Sequence, residues 1–190
     1  MPPKKTAITP PSSVYQLKIT LKGIRPPIWR RVLVPDNVTL ADLHRIVQVV
    51  MGWKDTHMHG FMIGVVEYGE PATEGFRAVR DERRFTLAEV VPKAKTKFVY
   101  TYDFGDEWVH DIEVEEILPV TPDQPLPQCI TGKRAGAPED IGGPWGYGAL
   151  IEAMAKPTHP ERANFAKIIA TYKPDVFDLA AINQALQKLR

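Results

Sequence analysis

Residues 15–52 read YQLKITLKGIRPPIWRRVLVPDNVTLADLHRIVQVVMG. In Tyr15–Leu21, Tyr15, Leu17, Ile19 and Leu21 alternate with Gln16, Lys18 and Thr20, which predicts a half-buried strand. Gly23 and the prolines of GIRPP break it, since a central strand cannot carry them. IWRRVLV resumes extended structure and stops at Pro35. Thr39 is a good helix N-cap, and Leu40, Leu43, Ile46, Val47 and Val50 follow at helical spacing up to Gly52. Strand, turn, strand, helix is a β-grasp-like opening, by analogy of pattern alone.

Downstream, HMHGFMIGVVEYG reads as a strand or bent hairpin. Period two puts His57, His59, Phe61, Ile63 and Val65 on one face. Residues 69–84 read as a loop, and FTLAEVV as a helical turn ended by Pro92. KFVYTYDF and EWVHDIEVEEIL flank Gly105 as a hairpin, with Trp108, His110, Ile112 and Val114 facing inward. Residues 119–147, rich in proline and glycine, read as a long irregular connection. Three helices are expected last. The first spans about Gly148–Ala155, the second starts near Pro160, and the third is capped by Asp178 or Asp175. Strands early and helices late predict α+β, with a mixed, mainly antiparallel sheet and C-terminal helices packed on it. Residues 1–13 read as a flexible leader and 14–190 as one domain.

Composition narrows the functional classes. With 44% hydrophobic residues in 190, the chain can build a core. Its longest apolar runs are too short to cross a bilayer, and no secretory leader is seen. A single cysteine, Cys129, allows no internal disulfide and fits the cytoplasm. Net charge is +1, but its order is uneven. No acid precedes Asp36, whereas residues 98–132 carry eight acids and no Lys or Arg. Either this makes a bipolar binding surface, or acidic and basic strands lie side by side and neutralise each other. The second reading is preferred, since charge runs are usually solvated faces.

No phosphate loop, dinucleotide fingerprint, HExxH, CxxC, EF-hand or GxSxG motif is complete. Thr131–Arg134 lacks the leading glycine and the hydroxyl residue of a phosphate loop. Polar residues in unusual places remain. His57, His59 and His110 with Asp103 and Asp106 could converge beside Trp108, and Glu139 and Asp140 of PEDIGGPWGYG could line a cleft beside that hairpin. Such a group could hold a transition metal or supply an acid–base pair. Equally, the aspartates could cap turn amides, the histidines could bond backbone carbonyls and Trp108 could be core. No cofactor or metal is assigned.

GIRPPIWRRVLVP, TLADLH, MGW with HMH, YDFGDEWVH, PEDIGGPWGYG and FDLAAIN occur in that order. In this combination the chain resembles the plasmid Ri open-reading-frame-3-like family, also labelled as passenger proteins of insertion elements, from about Tyr15 to Leu189. The resemblance implies an α+β domain and no settled activity. Some members carry a resolvase label. The only serines, Ser12 and Ser13, fall in the expected leader, so recombinase chemistry is rejected. Relatives resemble a cysteine-rich pattern near Cys129, Gly136 and Ile141, of which only Cys129 persists here. The expected function is a cytoplasmic binding or accessory module associated with mobile elements, with a protein or nucleic-acid partner. The alternative is a hydrolase-like enzyme with a His/Asp pocket.

Overall fold

A computed structural model describes residues 10–71 and 79–189. The opening forms as its pattern predicts. Ser13–Leu21 (β1) pairs antiparallel with Trp29–Pro35 (β2), Tyr15 opposite Val34 and Ile19 opposite Arg30. Leu40–Met51 (α1) follows. The Thr39 side chain accepts from the Asp42 N–H, and Gly52, left-handed at φ 81°, donates to the Gln48 and Val49 carbonyls.

The remaining strands are His59–Ile63 (β3), Val66–Gly69 (β4), Arg80–Asp81 (β5), Lys97–Tyr102 (β6), Trp108–Pro119 (β7) and Gln128–Lys133 (β8). One eight-stranded sheet runs β5-β4-β3-β6-β7-β1-β2-β8. Only β4 and β5 pair in parallel, so the sheet is mixed and mainly antiparallel, within an α+β fold. Leu17, Ile19, Val32, Tyr100 and Ile112 bury against Leu40, Leu43 and Val47 of α1 in one core.

The charge blocks meet inside this sheet. Acidic β7 lies between β6 and β1, with Glu113 opposite both Lys97 and Lys18. Arg31 of β2 reaches across to Glu115 with Nε and Nη2 at 2.5 and 2.8 Å from the two carboxylate oxygens. Lys22–Asp111 at 3.4 Å and Lys97–Glu113 at 3.5 Å complete the pairing. Within the strands, the uneven charge order is therefore cross-strand neutralisation.

Several expectations need correction. The connection 119–147 holds a strand, β8, which covers the outer edge of β2 with too few apolar residues to show a period. Gly143–Ala155 (α3) begins five residues before Gly148, because Pro144 suits a first helical turn. The expected second helix is a 3-10 turn, Pro160–Ala163, and one short helix, Ala166–Ile169 (α4), with no fully buried residue in either. Leu179–Leu186 (α5) is capped by Asp178, whose side chain accepts from Ala181 N–H. Residues 69–84, expected to be a loop, hold β5 and a 3-10 turn at Glu82–Arg84, with residues 72–78 outside those described, whereas Leu87–Val90 (α2) forms where FTLAEVV predicts a helical turn. Ser12 and Ser13, placed in the leader by sequence, are held by Asp36, which accepts from both backbone N–H groups and both hydroxyls.

Candidate functional site

The hairpin turn after β6 is built on Asp103. Its backbone is left-handed at φ 56°, and its Oδ1 accepts from Gly105 N–H and Asp106 N–H at 2.9 and 3.2 Å. Glu107, also left-handed at φ 53°, returns its N–H to the Asp103 carbonyl. The turn in turn holds the PEDIGGPWG loop. Asp106 Oδ2 accepts from Gly142 N–H at 3.1 Å, and Gly143 lies so close that a Cβ there would meet the Asp106 carbonyl oxygen at 2.0 Å.

That docking delivers Glu139 and Asp140. Tyr102 donates to Glu139 at 2.7 Å and accepts from Thr56 N–H. Burial, then the Glu139 carboxylate, raises the Tyr102 phenol above its ordinary range. His57 Nε2 lies 2.9 Å from Asp140 Oδ1 and 3.6 Å from Asp103 Oδ2. One ligand atom from each of these three residues lies within 4.8 Å of the others, a spacing that suits a cation. Asp140 is exposed and His57 is half-buried, so this triad opens to solvent.

His59 belongs to a different cluster. β3 starts at His59, so period two does not extend back to His57. The His59 Nε2 meets both Glu82 oxygens at 3.0 and 2.9 Å, and its ring stacks on His44 with centroids 3.4 Å apart and planes 5° off parallel. His44, buried on α1, joins a closed ring of hydrogen bonds. Gln48 Nε2 donates to the Tyr100 hydroxyl at 3.1 Å, and that hydroxyl meets His44 Nδ1 at 2.7 Å. His44 Nε2 meets Asp55 Oδ1 at 2.8 Å, and Asp55 N–H donates to Gln48 Oε1. The ring closes with every donor matched when His44 is neutral and protonated on Nε2. Burial, then the neighbouring His59, holds the His44 imidazole below its ordinary pKa, consistent with that form.

Sequence reasoning missed His44, Gln48, Asp55, Tyr100 and Glu82. One signal was available. His44 and Gln48 are polar residues at i and i+4 among the apolar positions of α1, and a polar group there needs a partner.

His110 joins neither cluster. It is fully buried, and its Nδ1 lies 3.4 Å from the Tyr100 carbonyl. Its Nε2 and the Nε1 of buried Trp108 have no partner among the described residues. Trp53 packs edge-on against the His110 ring at 5.2 Å. Burial pushes the His110 pKa down to about 4, so the ring is a neutral core residue. The structure thus joins His57, Asp103 and Asp140, with Glu139 and Asp106 beside them, and separates off His59, His110 and Trp108. The one cysteine offers no nucleophile here, because Cys129 is buried in β8 and burial pushes its thiol up to about 11.

An eight-stranded α+β sheet whose DFGDEW turn is locked to a PEDIGGPWG loop defines a class with recognisable relatives. The chain belongs to the plasmid pRiA4b ORF-3-like protein family, whose family model matches residues 13–181. It is 35% identical over 181 residues to an uncharacterized protein, y4hQ, of Sinorhizobium fredii, covering 94% of this chain and 93% of that one. A crystal structure of a protein of unknown function from Methanosarcina mazei Go1 superposes with TM-score 0.80 at 35% identity, covering 89% of this chain and 97% of its own. Among the described residues no helix is long and apolar enough to cross a membrane.

Proposed function

We propose that the protein is a non-enzymatic binding module that receives a cationic, partly apolar segment of another protein at the turn-and-loop end of its sheet. One observation carries this reading. Met58, Phe104 and Trp145 are 71%, 48% and 91% exposed, on backbones tied to one another through Asp103, Asp106 and Gly143. Exposed apolar side chains grouped together mark interaction surfaces, whereas scattered ones do not. The same linked segments carry Asp103, Asp106, Glu107, Glu139 and Asp140, against Lys54 and His57. Such an acidic rim attracts a basic partner and repels a nucleic-acid backbone. On this reading the module serves an accessory role in the cytoplasm, and the family description ties such proteins to a plasmid.

Amphipathic Lys/Leu peptides titrated against the purified chain test the proposal. Binding should weaken with rising salt. It should fall about tenfold or more in Trp145→Ala and Phe104→Ala, as anchor residues do. Salt-independent binding untouched by both substitutions, or preference for duplex nucleic acid, would sink it.

The position of His57 Nε2 between two carboxylates favours a second reading, a metal-assisted hydrolase. It ranks behind because none of the cavities of about 490, 420 and 370 Å³ is lined by His57, Asp103 or Asp140, although the first reaches Trp145. Stoichiometric metal with turnover, both lost in His57→Ala, would reverse that order.

A further inference from the structure

Arg30, on β2, is 2% exposed. Its Nε donates to the Val50 carbonyl at 2.7 Å, and its Nη1 to the Trp29 and Lys133 carbonyls at 2.9 and 3.0 Å. Its guanidinium also lies 5.0 Å from the centre of the Phe177 ring. None of these partners is an anion. The ionisable groups that act on Arg30 are Cys129 and Tyr172, both raised by burial and therefore neutral near pH 7. Arg134, 6% exposed, donates from Nε to Asp175 and from Nη1 to the Pro26 carbonyl. Its carboxylate partner stands at the surface, 87% exposed. Among the described residues no hydrogen bond reaches the Nη2 of either arginine.

Both arginines line one cavity of about 370 Å³, between the C-terminal end of α1 and the segment from Thr171 to Ile182. Tyr172, Lys173 and Asp178 line it as well, the Asp178 carboxylate being engaged by the Ala181 N–H. A buried guanidinium without a counter-anion is costly, and two with unused donors beside one cavity call for a shared acceptor. The cations come from separate elements: Arg30 from β2, Arg134 from just after β8 and Lys173 from the segment before α5. Donors on different walls suit a tetrahedral dianion with oxygens on several sides better than a planar carboxylate.

We propose that this cavity binds a phosphoryl group, free or carried on a small molecule, held by Arg30, Arg134 and Lys173. The cavity is within the size range of small-ligand sites, so it has room for a compact group attached to the phosphate. This site is separate from the proposed peptide surface, and either can fail alone.

The test is a titration of isotope-labelled full-length chain with inorganic phosphate at constant ionic strength, followed through arginine Nε–H and the Gly136 and Lys173 amide signals. Saturable shifts are expected, with apparent affinity reduced about tenfold or more in Arg134→Gln and about threefold in Lys173→Ala. Lys173 is exposed, so its variant keeps the test valid should Arg134→Gln fail to fold. Tighter binding of glycerol 3-phosphate than of phosphate supports the small-molecule form, and the reverse supports the free anion. Absence of saturation, equal shifts with acetate or chloride, or affinity unchanged in Lys173→Ala together with any folded Arg134→Gln overturns the proposal.

Discussion

Replacing His110 by leucine should flatten the acid limb of the stability profile. His110 is fully buried, and desolvation lowers its pKa from the ordinary 6.5 to about 4. Between those values the unfolded chain takes up a proton at this position and the folded chain does not. Stability contributed by the neutral ring is therefore complete above about pH 6.5 and is lost as pH falls toward about 4. The span corresponds to at most about 3 kcal/mol. Leucine has similar bulk, forfeits one long hydrogen bond to the Tyr100 carbonyl, and removes the unpartnered Nε2. At pH 7.5 the variant should lie within about 1 kcal/mol of the parent. At pH 4.5 it should be the more stable of the two by about 2 kcal/mol. Urea unfolding at half-unit steps of pH, with unchanged m-values, gives the difference curve directly. His44, also lowered by burial, slopes in the same direction in both proteins and cancels. A difference that is flat from pH 7 to 4.5, or that favours the parent at low pH, would show that His110 is hydrated or paired and would refute the reasoning.

Two further substitutions probe the polar framework. Tyr100→Phe keeps the ring but leaves His44 Nδ1 and Gln48 Nε2 without their shared hydroxyl, a loss of about 2–4 kcal/mol in chemical unfolding at neutral pH; a loss under 1 kcal/mol would mean that the ring of bonds is open. Gly143→Ala drives a methyl into the Asp106 carbonyl at a left-handed position of φ 63°, so it should cost about 2 kcal/mol or more and loosen the PEDIGGPWG loop. Amide exchange at Gly142 should then accelerate while exchange in β1 does not, and uniform acceleration would place the strain elsewhere.

What the sequence disclosed follows from the range of the forces involved. β1, β2, α1 and the hairpin around Gly105 declare themselves through local period, because each buries one regular face of its own. β8 does not, since it is ordered by the unpaired edge of β2, about a hundred residues earlier. Period two groups His57 with His59 only along an unbroken strand; β3 begins at His59, and the two rings turn to Asp140 and Glu82. The His44–Asp55–Tyr100 network was hidden because its members lie on a helix, a loop and a strand and meet only after the sheet closes.

The stretch from Tyr102 to His110 does two jobs split by its turn. Asp103, itself buried, shapes the turn and Asp106 holds the PEDIGGPWG loop; beyond the turn, Trp108 and His110 fill the core. This division bears on function through charge. Asp111, Glu115 and Glu113 of β7, which follow, are matched across the sheet by Lys22, Arg31 and Lys97. Among the described residues, the acids of the turn and loop meet amides, the Tyr102 hydroxyl and His57 rather than a basic strand. These carboxylates shape the turn and hold the loop, yet their negative charge is left unmatched next to exposed Met58, Phe104 and Trp145. Its natural use is attraction of a positively charged partner, and for that reason the turn-and-loop end, rather than the neutralised face of the sheet, is where recognition is proposed.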